Sequence, residues 1–297
     1  MLTRRRIVAG YDGSPAAAAA ARFAAAEAAA DGGLLRLIHA QLERAAYALL
    51  VPPGVVRDAT DEAWRLVDAA VEALRRDHPG LDVRANVVDG KAASALIRAS
   101  RSADLLVLGR TLRGAPASPP GRHLPAGATA ARVLAYTGCP VMLVGADTPP
   151  PGEARGRPVL LGLDPAASSS PAVTYAFEAA RRHGTSLRVC FVRRPDGGSW
   201  PDDADTRRAL SETLAAWRVA FPDVPVAVDV LPGLDPAARL LDASADAALV
   251  VVGDRNPGAP ATGWPNRVPD VLTRNAACPV AVVRPARHPG LRPVPTG

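Results

Sequence analysis

Ile7-Val-Ala-Gly-Tyr-Asp-Gly-Ser-Pro15 decides the fold. It reads as a short buried strand that runs into a glycine turn and then a helix. Asp12 stands at the strand's carboxyl end. Ser14 followed by Pro15 predicts the helix start, a capping side chain and then proline at the first helical position. The same design returns as Val159-Leu-Leu-Gly-Leu-Asp-Pro165, with Asp164 placed 152 positions after Asp12. A repeat at that distance predicts a duplicated domain rather than the stacked units of a solenoid.

Outward from the first copy, strands and helices alternate. Strand one covers Arg6 to Tyr11, and the Ala-rich helix after it stops at Gly32-Gly33, where glycine accepts the left-handed turn. Leu34 to His39 is a second strand. Gln41 to Val56, with Pro52, Pro53 and Gly54, reads as an irregular connection. Asp58 to Asp77 is a helix with Ala63, Leu66, Val67, Ala70, Val71 and Leu74 on one face. Leu81 to Val88 is strand three, and Lys91 to Ser102 is a helix with Leu96 and Ile97 inward. Leu105 to Leu108 is strand four, apolar without alternation, as a strand covered on both faces must be. Gly109 to Ala126 is a long Gly- and Pro-rich loop. Gly127 to Tyr136 is a helix, and Cys139-Pro140 leads into strand five, Val141 to Val144. Alternating strands and helices predict a five-stranded parallel sheet with helices on both faces. Ligands of such sheets bind beyond the strands' carboxyl ends, where the strand order reverses.

The run Pro149 to Pro151 marks a linker. The expected division is residues 1–147, a linker over 148–157, a second domain over 158–285, and a disordered Pro- and Arg-rich tail over 286–297. In the second domain the expected strands are Val159 to Leu163, Leu187 to Val192, Val224 to Leu231, Leu249 to Val252 and Val280 to Val283. The expected helices are Pro171 to Arg182, Thr206 to Phe221 and Pro236 to Ser244.

The chain has 297 residues, a formal charge of +6 and a pI of about 9.9. Lys91 is its only lysine, so the charge is arginine, and with the alanine and proline excess it reads as GC-rich coding bias. No nucleic-acid signature accompanies the charge and aromatics for base stacking are few, so nucleic acid is not the expected partner. Three widely spaced cysteines make neither a disulfide framework nor a metal site. The start of the chain lacks the apolar core of a signal peptide, and no apolar run is long enough to span a membrane. The expected compartment is the cytoplasm.

The set Val8-Ala-Gly-Tyr-Asp12-Gly-Ser-Pro15, Leu34 to Ala40, Ala103-Asp-Leu-Leu-Val-Leu-Gly109 and Cys139-Pro-Val141 resembles the universal stress protein family. Leu161-Gly-Leu-Asp164, Ala247 to Gly253 and Cys278-Pro-Val280 repeat the resemblance in the second half, which makes the chain similar to a tandem member. The resemblance implies two Rossmann-like α/β domains. In one branch of the family it also implies adenine nucleotide (ATP) binding, through Gly, two residues, Gly, nine residues, Gly and then Ser or Thr after strand four. Those glycines admit phosphates to backbone amides, and the last opens a helix whose N-terminus favours anions. Carried onto this sequence, the nucleotide-binding positions are Gly10, Tyr11, Asp12, Ala40, Leu108, Gly109, Gly127, Ala128 and Thr129. The weaker equivalents in the second half are Asp164, Gly253, Asn256, Asn266 and Arg267.

The chain departs from that pattern in both halves. Leu112 replaces the second glycine, fourteen residues separate it from Gly127, and Ala128 stands before Thr129. In the second half the spacing survives, but Asn256 and Asn266 replace glycines and Arg267 replaces the hydroxyl. Asn tolerates a left-handed backbone, so the loop shape can persist. Arg267 reads more simply as a solvated loop arginine than as a phosphate grip. Asp12 reads equally as a ligand for base and ribose or as a helix cap, whereas Asp164, before Pro165, reads as a cap. His39 reads as a core or rim histidine.

A P-loop, a dinucleotide fingerprint, a nucleophile elbow and a metal cluster are all missing from the sequence, so a dedicated enzyme is not expected. Three functions follow: a stress-response protein holding an adenine nucleotide in its first half, an interaction protein of the same fold with a degraded site and an unidentified protein partner, or, more weakly, a nucleotide hydrolase. The family commonly dimerises through strand five. Val141 to Val144 and Val280 to Val283 are therefore expected to pair within one chain as a pseudo-dimer. Two halves that separated after proteolysis in the linker would contradict that pairing.

Overall fold

The computed structural model describes residues 4–41, 53–110, 128–149, 151, 156–163, 170–193, 203–253 and 267–284. The chain divides into two units, residues 1–150 and 151–297. The first unit holds strands β1 (Arg6–Gly10), β2 (Leu34–Gln41), β3 (Asp82–Asp89), β4 (Leu105–Arg110) and β5 (Val141–Gly145). Its helices are α1 (Pro15–Ala30), α2 (Pro53–Asp77), α3 (Ala92–Ser100) and α4 (Ala128–Tyr136). The strands run parallel in the order β3-β2-β1-β4-β5. The order therefore reverses between β1 and β4, where a ligand crevice is expected in a sheet of this kind.

Sequence and packing explain these elements together. The Ser14 hydroxyl caps α1 by accepting from Ala17 N–H at 3.2 Å, and Pro15 occupies the first turn. The helix ends where Gly32 takes φ +58 and Gly33 N–H donates to Ala28 O at 2.7 Å. Alanines crowd α1, so it lies close against β4 and β5 with β1 and β2 beside them. Its one buried acid, Glu27, is 2% exposed and pairs with Arg5 at 3.0 Å. On the opposite face Val8, Ile38, Leu106, Leu108, Val141 and Leu143 form a core with Leu96 of α3 and Val133 of α4.

The second unit has strands β6 (Val159–Gly162), β7 (Leu187–Arg193), β8 (Val226–Pro232), β9 (Leu249–Gly253) and β10 (Val280–Val283). They run parallel in the order β8-β7-β6-β9-β10, the same arrangement as in the first unit. Its helices are α5 (Ser170–Arg182), α6 (Asp203–Thr213), α7 (Ala215–Ala220), α8 (Pro236–Ala243) and α9 (Arg267–Asn275). The copy is close in detail. A side chain on Gly10 would strike Leu108 Cδ2 at 2.8 Å with Leu96 beyond it, and one on Gly162 would strike Leu240 Cδ1 at 2.9 Å and Val252 Cγ1 at 3.2 Å.

Several boundaries differ from the sequence reading. Helix α2 begins at Pro53, inside the stretch expected to be irregular, because proline suits a first turn whose N–H groups lack intrahelical partners. The helix expected over Thr206 to Phe221 breaks at Leu214, which takes ψ −3 while its side chain stays fully buried beside those of Leu210 and Trp217. Helix α9 has no counterpart among the helices expected from the sequence. Arg267, expected in a loop, is its first residue. Strand β4 runs on through Gly109 and Arg110, which had been assigned to the following loop. The tail over 286–297 lies outside the described residues.

Candidate functional site

The carboxyl ends of β1, β2 and β4 meet at the point where the strand order reverses. Gly10 closes β1 and is in register with Ile38 of β2. Tyr11 N–H extends the ladder by one bond, donating to Ile38 O at 2.9 Å. The next residues turn sharply: Gly13 has φ +80, which favours glycine, and Leu66 of α2 sits 3.0 Å from where a side chain there would begin. Asp12 is exposed, and its Oδ1 accepts from Ser14 N–H at 3.0 Å. The cap of α1 is thus Ser14, while Asp12 holds the turn leading into it and keeps a carboxylate at the rim.

His39 lies beside this turn. A carbonyl oxygen only accepts, so its 2.9 Å contact with Tyr11 O makes His39 Nδ1 the donor. Burial pushes the Tyr11 phenol above its ordinary pKa; the Asp12 charge adds to this and Arg22 opposes it. Ala40, half-buried on β2, is in register with Val88 of β3. Leu108 points into the core shared with α3.

Gly109 has a packing reason to be glycine. A Cβ there would lie 2.5 Å from Ala16 C and 2.6 Å from both Ala16 O and Ala17 N, so the first turn of α1 rests directly on β4. Next to it, Arg110 brings a guanidinium to the end of β4, in register with Gly145 and only 5% exposed. The sequence reading passed over Arg110; a charged residue one glycine beyond the apolar run Leu105 to Leu108 was the available signal.

Gly127 lies outside the described residues. Ala128 opens α4, and Thr129 follows it, exposed. In the second unit Gly253 ends β9 in register with Val283, and Arg267 opens α9. Asp164, Asn256 and Asn266 lie outside the described residues.

No group of His, Cys, Asp and Glu suited to a metal occurs among the described residues. No described helix is long and apolar enough to cross a membrane. The cysteines are buried. Burial pushes the Cys139 thiol up to about 12 and the Cys190 thiol up to about 11. Because the thiolate is the reactive form, a disulfide reagent at pH 8 is expected to label none of the three cysteines in the native protein and all of them in denaturant. Fast labelling of the native protein would contradict this.

The sequence model of the universal stress protein family matches residues 3–145 and again 156–284. A universal stress protein of Mycobacterium tuberculosis is 32% identical over 292 residues, spanning 94% of this chain and 96% of the relative. One from Mycolicibacterium smegmatis is 33% identical over 309 residues, spanning 95% and 98%. Among solved structures, a universal stress protein from Archaeoglobus fulgidus is similar with a TM-score of 0.69 at 17% identity, covering 94% of this chain and 98% of that one, a likeness of fold. Two successive family matches on two copies of one strand order identify the chain as a tandem member of the universal stress protein family.

Proposed function

We propose that the first unit holds an adenine nucleotide, ATP or a relative, at the carboxyl ends of β1, β2 and β4, and that the protein serves a cytoplasmic stress response. The observation that carries this reading is the exposed Asp12 carboxylate, oriented by Ser14 N–H at 3.0 Å beside the reversal of strand order. An oriented acceptor at that point suits the hydroxyls of a ribose or the amino group of a base. The N-terminus of α4, with the backbone N–H groups of Ala128 and Thr129, suits phosphates. The guanidinium of Arg110 adds positive charge at the end of β4.

Calorimetric titration with ATP, ADP and AMP tests the reading. Micromolar binding by the parent is the expected result. Asp12→Asn preserves an oxygen for Ser14 N–H and so keeps the turn, yet it replaces the other acceptor with a donor. It is expected to weaken binding by about tenfold or more, the scale of one charge-assisted hydrogen bond. Absence of heat with every nucleotide would refute the reading.

A second reading keeps the family and drops the ligand. The contact of Gly109 with Ala16 and Ala17 gives that glycine a purely structural reason, and Leu112 and Ala128 depart from the binding pattern. The protein would then act through an unidentified protein partner, and silence in the titration is its signature. Nucleotide hydrolysis is the weakest alternative, and phosphate release above blank is the result it needs.

A further inference from the structure

We propose that His39 is a positioning residue for the ligand site of the first unit: its Nδ1–H holds the Tyr11 carbonyl and so sets the turn that presents Asp12. The inference rests on the nucleotide reading for its functional part, but the brace itself has a ligand-independent readout.

The two units supply an internal comparison. Gly10 and Gly162 occupy the same place against their neighbours, in register with Ile38 and Cys190. One step on, Tyr11 N–H donates to Ile38 O at 2.9 Å, and Leu163 N–H donates to Cys190 O at 3.0 Å. The ladder therefore extends equally in both units. The next strand position differs: it is His39 in the first unit and Phe191 in the second. His39 donates to the Tyr11 carbonyl at 2.9 Å, whereas a phenylalanine ring has no N–H with which to hold Leu163.

In the first unit the Tyr11 peptide groups are thus held on both sides, N–H by Ile38 and C=O by His39. Asp12 follows that carbonyl directly, and its Oδ1 takes Ser14 N–H. The brace, the turn and the cap of α1 form one connected series of hydrogen bonds. A site whose acceptor must point at a ligand gains affinity when its backbone is fixed before binding.

The test uses the full chain with His39→Asn, which retains a donor near the Nδ1 position, and His39→Phe, which copies the residue the second unit already carries. Thermal melting confirms that both fold. Backbone amide exchange at Ser14 is read by NMR, and ATP binding by calorimetry. Exchange about tenfold faster and ATP binding about tenfold weaker in His39→Phe, with His39→Asn close to the parent, are the expected results. If the parent binds ATP and His39→Phe binds it equally well, the inference is overturned while the nucleotide reading stands. Loss in His39→Asn equal to that in His39→Phe also overturns it, because the donor would then be irrelevant. If the parent binds no nucleotide, the nucleotide reading fails and Ser14 exchange decides the brace: an unchanged rate in His39→Phe overturns it, and a faster rate upholds it.

Discussion

Gly109→Ala is expected to destabilise the first unit by about 3 kcal/mol, at the upper end of the usual cost of overpacking a core. The added methyl would lie 2.5 Å from Ala16 C and 2.6 Å from Ala16 O and Ala17 N. All three are backbone atoms of the first turn of α1, so no flexible side chain can swing aside. The helix start must lift from β4 or the strand must shift, and either movement disturbs the Asp12 to Ser14 turn. For a unit of this size the midpoint of thermal unfolding should fall by about 10 °C. Gly32→Ala is the control. Gly32 has φ +58 and nothing within 4 Å of a new methyl group, so only the left-handed backbone is penalised, at about 1–2 kcal/mol. Equal losses in the two variants would show that α1 does not press on β4 as described.

Arg5→Ala is expected to cost about 3 kcal/mol or more, because it removes a cation from a carboxylate that cannot reach water. Glu27 is 2% exposed and lies 3.0 Å from the Arg5 guanidinium, which also meets Asp31 at 3.3 Å. Glu27→Gln preserves volume and leaves Arg5 with Asp31, so its loss should be the smaller of the two, about 1–2 kcal/mol. Urea unfolding of the single variants and of the double variant measures both the asymmetry and the coupling. Additive losses would contradict a direct pair, since residues in contact couple by about 0.5–3 kcal/mol.

Much of the frame was legible in the sequence because its signals are local. Ser14-Pro15 marked the start of α1 and Gly32 its end, and the unbroken apolar run from Leu105 marked a strand buried on both faces. The spacing of Ala63, Val67, Ala70, Val71 and Leu74 gave the inner face of α2. Proline misled where it sits in a first turn: Pro53 reads as part of an irregular connection, yet it begins α2. The break at Leu214 had no glycine or proline to announce it, since a fully buried side chain sits there. The candidate site was less legible for a different reason. Gly109 looked like a place made for phosphate, but the methyl group it lacks would meet the backbone of a helix some ninety positions earlier. His39 looked like an ordinary rim histidine because its acceptor, Tyr11 O, is brought beside it only by the parallel pairing of β1 and β2. Contacts made by topology leave no mark in a local window.

The stoichiometry of ATP binding by the intact chain tests the central claim most directly. The account predicts one nucleotide per chain, lost in Asp12→Ala and unchanged in Asp164→Ala. Two nucleotides per chain, none, or one that disappears with Asp164→Ala instead would contradict it.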